Sequence, residues 1–389
     1  MKITTQPGGF VGVCAVFVLS VSLSASPLVT LSDNAAIYFD GSASISSDSN
    51  IALDSSNEID DIIYEFDPGF KWVYGSSDTG AEFTLNANYT IKRYGDRNEF
   101  DTGLASVALS GQFQSAKSVT KLNAGYVENQ TNTRDANAAG ILLESAITSA
   151  GFKTEYEASL KTSVVAGISY TRTDQKTNDG FGGTLGVDRS QLLVPVNIYY
   201  AATEKLDVGL GYRYRNSSVD VSSFVGLGDR SSHFFNVALR GELSPKIIAD
   251  MKFGFQTTDI EGQEKFDGFS ADASLTYLPD AKTTLSFLYS RDYEIGFLGE
   301  AKETSMITGI LEYVFNEQFS GNAVVFLASD DYKNLVLEQD YVTTILSLTY
   351  NPSQYLSVEG SYIYSNNDTT VEGSDFTGNI YKLGVNVRY

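Results

Sequence analysis

Leu206-Asp207-Val208-Gly209-Leu210-Gly211-Tyr212-Arg213-Tyr214-Arg215 decides the fold. Leu206, Val208, Leu210, Tyr212 and Tyr214 recur at every second position, with Asp207, Gly209, Gly211, Arg213 and Arg215 between them. Side chains on a strand point alternately to opposite faces, so this is a ribbon with one apolar and one polar side. The same period returns in the final stretch, where Tyr381, Leu383, Val385, Val387 and Tyr389 oppose Lys382, Gly384, Asn386 and Arg388. It returns again where Thr283, Leu285, Phe287 and Tyr289 oppose Thr284, Ser286, Leu288 and Ser290.

The connections between such ribbons have a rhythm. Short polar turns recur near Ser76, Ala116, Leu160, Glu204, Pro245, Asp280, Glu317 and Pro352. Their spacing of roughly 35 to 44 residues is one hairpin plus its loop. Between them lie longer polar stretches, Ser47–Asp60, Gln130–Ala139, Thr173–Gly183, Ser217–Arg230 and Ser365–Ser374. Short turns at one end and long loops at the other are the layout of an outer-membrane barrel, here of about eighteen antiparallel strands.

A β-sandwich, a β-helix or a propeller would also show period two. None explains hairpins of near-equal length, the asymmetry of the connections, or Tyr and Phe gathered at strand ends, as at Tyr89, Tyr126, Tyr170, Tyr200, Tyr277, Tyr289, Tyr313 and Tyr350. The expected fold class is therefore all-β, a transmembrane antiparallel β-barrel over residues 25–389. A chain of 389 residues would otherwise be read as two or three domains, but a barrel grows by adding strands.

Residues 1–24 read as a secretory signal peptide. Lys2 precedes an apolar run from Phe10 to Leu23, and Ser22-Leu23-Ser24 before Ala25 fits a small-x-small cleavage site. Cys14 is the only cysteine and lies in this run after Val13, where a lipoprotein signal would place Gly or Ala. The mature chain would then hold no disulfide and no thiolate metal site. The expected address is the outer membrane of a Gram-negative bacterium.

Charge narrows the partners. The formal net charge is −21, from 27 Lys+Arg against 48 Asp+Glu, which excludes the basic footprint that nucleic acid requires. On the polar faces, basic residues (Lys71, Lys92, Lys121, Lys153, Arg213, Arg215, Arg240, Lys252, Lys382, Arg388) and acidic residues (Glu65, Asp67, Glu82, Glu155, Asp207, Glu242, Asp250, Asp272, Glu312, Glu359) are similar in number. The excess acid is expected in loops and turns, at Asp48, Asp54, Glu58, Asp96, Asp174, Glu300, Asp330, Asp331, Asp368 and Asp375 among others. A charged interior must be wet or laced with ion pairs, because unpaired buried ions cost several kcal/mol each.

Arg213, Arg215, Arg240, Asp207, Glu242, Asp250 and Lys252 are the expected pore-lining residues, and the three arginines are candidates for a constriction or a ligand contact. The plainer expectation pairs them with Asp207 and Glu242 as wall stiffeners. Tyr389, aromatic and last in an alternating strand, resembles the signal that the barrel-assembly machinery reads. Acidic loops facing outward could meet lipopolysaccharide through divalent cations, but no loop has calcium-site spacing.

Catalytic chemistry has one foothold. His233 is the only histidine, no acid is identifiable beside it, and the adjacent Ser232 must point to the other face. There is no P-loop, dinucleotide fingerprint or Cys/His cluster, so no catalytic residue, cofactor or metal is expected.

Tyr212-Arg213-Tyr214-Arg215-Asn216-Ser217-Ser218-Val219-Asp220 followed by Phe234-Phe235-Asn236-Val237-Ala238-Leu239 resembles the β-barrel porin type 2 family, with its Y-x-Y-x-R-x-S stretch and later aromatic–Asn. Tyr362-Ile363-Tyr364-Ser365-Asn366-Asn367-Asp368 followed by Tyr381-Lys382-Leu383-Gly384-Val385 is a looser echo. The resemblance implies an outer-membrane barrel without known catalysis, often encoded with exopolysaccharide machinery. Two functions are expected: a passive channel for small hydrophilic solutes or polysaccharide, or a loop-plugged barrel that supports envelope or exopolysaccharide assembly through export proteins.

Overall fold

A computed structural model describes residues 27–389 apart from 56, 77–79, 133–141, 177–185, 221–228, 262–264, 297–299, 334–335 and 372. The expected signal segment 1–24 lies outside the described residues. The strands are β1 (Val29–Ser32), β2 (Ala35–Asp48), β3 (Asp61–Ser76), β4 (Ala81–Tyr94), β5 (Thr102–Gln114), β6 (Ser118–Asn132), β7 (Leu142–Glu157), β8 (Thr162–Gln175), β9 (Asp188–Ala201) and β10 (Leu206–Asp220). They continue with β11 (Arg230–Ser244), β12 (Ile247–Ile260), β13 (Phe266–Tyr277), β14 (Thr283–Ile295), β15 (Ala301–Val314), β16 (Phe319–Tyr332), β17 (Glu338–Ser353), β18 (Leu356–Thr369) and β19 (Phe376–Arg388).

From β2 to β19 each strand pairs antiparallel with the next, and β19 returns to β2, from Ile380 opposite Asp48 to Arg388 opposite Asp40. These eighteen strands close into a wall in which every strand pairs with a neighbour on each side. The short β1 folds back on β2, with Val29 opposite Ile37, beside the end of β19. It is one strand more than the alternation predicts. A circular barrel of this strand number, at about 4.8 Å spacing and about 40° tilt, is roughly 35 Å across between backbones.

The short turns from Ala116 to Pro352 fall where the sequence places them, while the one after Ser76, at 77–79, lies outside the described residues; their chemistry explains why they recur. Asp280 accepts from the backbone N–H of Lys282 at 2.8 Å and from the Thr283 hydroxyl at 3.1 Å. Thr203 Oγ1 accepts from the backbone of Lys205 and Leu206, and Asn316 Oδ1 from Gln318 and Phe319. A side chain that mimics a turn carbonyl fixes the reversal locally.

The long connections are shorter than the polar stretches imply. β10 runs on through Ser217–Asp220 and β18 through Ser365–Thr369, while β6 and β8 reach Asn132 and Gln175; the parts of Gln130–Ala139, Thr173–Gly183 and Ser217–Arg230 at 133–141, 177–185 and 221–228 lie outside the described residues. Polar residues are compatible with a ladder once it rises beyond hydrocarbon, so polarity marks the membrane boundary and not the strand end. Asp48, Asp174, Asp330, Asp331 and Asp368, expected in loops, are therefore strand residues.

The outward face carries the apolar surface. Leu210 is 68%, Phe235 62% and Tyr381 61% exposed, with dozens of similar residues between them. A band of that extent is untenable in water and is what lipid requires. Aromatic pairs cluster at the short-turn end, where Trp72 stacks on Tyr74, Tyr313 meets Phe315 at 4.9 Å and Phe319 meets Tyr350 at 4.6 Å. They form one interfacial girdle. Among the described residues no helix is long and apolar enough to cross a membrane.

Candidate functional site: the lumen wall and an inward hairpin

Because Tyr212 and Tyr214 face outward, alternation turns Arg213 and Arg215 inward. Their partners reveal a departure from the regular wall. β13 and β14 pair only from Ala271–Arg291 to Tyr277–Leu285. Beyond that point β13 keeps β12 and β14 keeps β15, with Ile295 still opposite Ala301. The wall is split there, and the end of the β14–β15 hairpin, from Asp292 to Ile295 on β14, leans into the lumen; residues 297–299 lie outside the described residues.

Four arginines from β9, β10 and β11 hold this tip. Arg213 donates to Asp272 and Asp292, each at 3.0 Å. Arg215 donates to the same Asp292 carboxylate and to the backbone oxygen of Tyr293 at 2.7 Å. Arg230 donates to the Glu294 oxygen at 2.9 Å and Arg189 to the Ile295 oxygen at 3.3 Å. Along an undistorted wall these strands stand three to five spacings apart, roughly 14 to 24 Å, beyond the reach of one side chain. The guanidinium groups take up β14 carbonyls in the stretch that no longer pairs with β13, which meets the requirement that backbone polar groups be satisfied.

The former outward side of the tip now lies against β13. Tyr293 sits 6.5 Å from Phe266, and its hydroxyl occupies the space over Gly268, 2.6 Å from where a Cβ would stand. Beneath the latch, Arg213 covers Phe234 with 4.6 Å between guanidinium and ring centre. Phe234 is 1% and Gln256 0% exposed.

A second cluster lies nearer the short turns. Arg240 stacks at 3.9 Å on Tyr199 and donates to Glu155 on β7 at 2.5 Å, to Asp207 at 3.0 Å and to Ser163 at 3.1 Å. Tyr199 in turn packs where a Cβ on Gly209 would fall, 2.8 Å from its ring. Glycine is required there so that ring and guanidinium can lie flat against the wall.

The expected pairings are thus only partly met. Asp207 binds Arg240, but Arg213 and Arg215 turn to Asp272 and Asp292. Glu242 accepts from Lys205 at the turn, 2.5 Å away, and not from an arginine. Gly241 has φ +126° and the ladder shifts register between Glu242 and Ser244, so Glu242 belongs to the rim. Asp250 stands opposite Arg240 and Lys252 opposite Asp272 in register. Tyr389 exchanges two backbone hydrogen bonds with Phe39, at 2.5 and 2.9 Å.

Asp292 is not among the expected pore-lining residues, although its parity with Ser286 and Ser290 signals the lumen face. Asp330 forms a buried pair with Lys302 at 2.9 Å, with side chains 2% and 8% exposed. His233 lies on the outward face, where its Nδ1 and the Tyr212 hydroxyl are 2.8 Å apart. Ser232 lies on the other face, 3.0 Å from Thr258, so the serine beside this histidine is not its partner.

A closed barrel with an outward apolar band and an inward charged face invites comparison with known porins. Residues 237–389 match the family described as putative beta-barrel porin 2. The matched part contains the Tyr362–Asp368 and Tyr381–Val385 unit; the Tyr212–Asp220 stretch precedes it. The fold is shared with OpdQ of Pseudomonas aeruginosa, at 11% identity and TM-score 0.50 over 92% of this chain and 99% of that one. It is shared also with a BenF-like porin from Pseudomonas fluorescens Pf-5, at 10% identity and TM-score 0.51 over 92% and 99%. At such identities the likeness concerns the fold. No curated protein matches the chain. The architecture is that of a porin-type β-barrel.

Proposed function

We propose that the chain is a passive, non-catalytic channel of the bacterial outer membrane, exported by a cleaved signal peptide, that admits small hydrophilic solutes or polysaccharide. One observation carries this reading: the inward face holds full charges such as Arg240, Glu155, Lys382 and Glu65, while the outward face is a continuous apolar band. Charges in such number need water or partners, and eighteen strands leave room for water. Arg213, Arg215, Arg240, Asp207, Asp250 and Lys252 would line the path, which the β14–β15 tip narrows. Purified protein in a planar bilayer should give stepwise conductance, and an ion-tight barrel would argue against a channel.

The near-complete burial of Phe234, Gln256 and Tyr332 favours a second reading. A barrel closed at its outer end could serve as an interaction platform for lipopolysaccharide, polysaccharide or export proteins. It would give no liposome swelling and would co-purify with an export partner.

A further inference from the structure

We propose that Ile310, Val324, Ile345, Ile363 and Ile380 form a strip on the lumen wall that binds the alkyl chain of a small amphiphilic solute. The strip rests on the channel reading in one respect, that solutes reach the lumen.

These side chains lie on consecutive strands, β15 to β19, and each stands directly opposite the next in register. Opposed residues share a face, and this face is the inner one. The chain neighbours Leu311, Val325, Leu346 and Tyr381 are exposed on the lipid side. Lys382, two residues from Ile380, meets Glu65 inside. The polar side of the wall is thus interrupted by a continuous aliphatic line. Elsewhere on the lumen face, among the described residues, opposed aliphatic side chains stop at a pair, as at Val127 and Ile147. Ile345 is 5% exposed and the other four are half-buried, so apolar surface is left toward the lumen.

The shape of the strip selects its occupant. Strands lie about 4.8 Å apart, so the row is roughly 19 Å long, yet it is one residue wide. Phe326, Thr343 and Ser365 border it toward the long loops, and Asn322, Ser347 and Ser361 toward the short turns. Phe326 packs on Tyr341, 6.0 Å between ring centres, on the side away from the row. A long, narrow apolar line between hydroxyl and amide groups fits an extended alkyl chain, whereas a broad ring system would overhang the polar borders. One end is closed by the β2–β3 connection. Leu53 Cδ2 lies 3.1 Å from where a Cβ on Gly378, two residues from Ile380, would stand, and the Asn50 amide donates to the Thr377 oxygen at 3.1 Å. The other end meets Ser286, opposite Ile310, where the wall is polar again and can receive a head group. Covering the strip with a chain removes apolar surface of both from water, so a head group carrying a chain binds more tightly than the head group alone.

The test is calorimetric titration of the folded barrel, held in amphipol so that no free detergent competes, with decyl maltoside below its micelle concentration and with maltose. Saturable binding of decyl maltoside, about tenfold or more tighter than maltose, is expected. Ile345→Asn with Ile363→Asn should weaken it about tenfold or more, and Val127→Asn, inward on β6, should leave it unchanged. Should the double Asn variant not fold, the near-isosteric Val324→Thr with Ile363→Thr gives the same reading. Equal binding of the two probes, or full affinity in a folded double variant, would overturn the strip. Binding is read without current, so a barrel that binds decyl maltoside at these residues but never conducts removes the channel and keeps the strip. One that conducts without preference for decyl maltoside over maltose removes the strip alone.

Discussion

Arg215 on β10 donates to the backbone oxygen of Tyr293 on β14, 2.7 Å away, although three strands separate them in the wall. The contact exists only because β14 leaves β13 at Arg291 and carries its next four residues inward. It replaces a ladder hydrogen bond by a charge-assisted one and sets these contacts in the outer half of the lumen.

Asp292 is the centre of that latch, with side-chain exposure of 17%. Asp292→Asn removes the counter-charge shared by Arg213 and Arg215. Breaking one member of a buried pair costs about 3 to 5 kcal/mol, here felt locally as release of the tip. Trypsin should then cleave at Arg291 or Lys302, and amide exchange of Tyr293–Ile295 should rise. Unit conductance should increase. An unchanged digestion pattern would show that the tip is held without Asp292.

The lipid and water faces can be told apart by one charge each. Leu210→Arg places a cation in the apolar band and should destabilise the barrel by about 2 to 4 kcal/mol near the midplane. Ser286→Lys, on the inward face, should cost far less. Urea-induced unfolding in lipid vesicles measures both. Equal costs would mean that the faces are misassigned.

Tyr389 joins the last strand to Phe39 at the seam and its ring is 5.9 Å from Tyr355. Deleting Tyr389 removes both backbone bonds and the aromatic end, while Tyr389→Phe keeps them. The deletion should lower the fraction of heat-modifiable, folded barrel in outer-membrane preparations several-fold, and Tyr389→Phe should not. Equal yields would remove the assembly role.

Asp280 supplies the pH dependence of a turn outside the membrane. The backbone N–H of Lys282 holds its carboxyl below the usual 3.8, and the Thr283 hydroxyl adds to this. A depressed carboxylate contributes stability above its unfolded pKa and loses it as pH falls through the native value. Side-chain NMR titration should therefore place Asp280 below 3.8, and Asp280→Ala should abolish acid loosening of turn 278–282. Titration at or above 3.8 would contradict the turn geometry. The group is fully exposed, so the effect on the whole barrel is small.

The alternation of Leu206–Arg215 and the recurring short turns sufficed to determine a closed antiparallel barrel, its inside and its outside. These are local properties: period two fixes which side chains share a face, and Thr203, Asp280 and Asn316 set their own reversals. The partners of Arg213, Arg215, Arg240 and Glu242 were not local. Asp292 is 77 residues from Arg215 in the chain and Glu155 is 85 from Arg240. Only the curvature of the closed wall, and the split between β13 and β14, could bring them together. Parity says that a side chain faces the lumen, but the depth of a strand and the lean of a hairpin choose which charge it meets there.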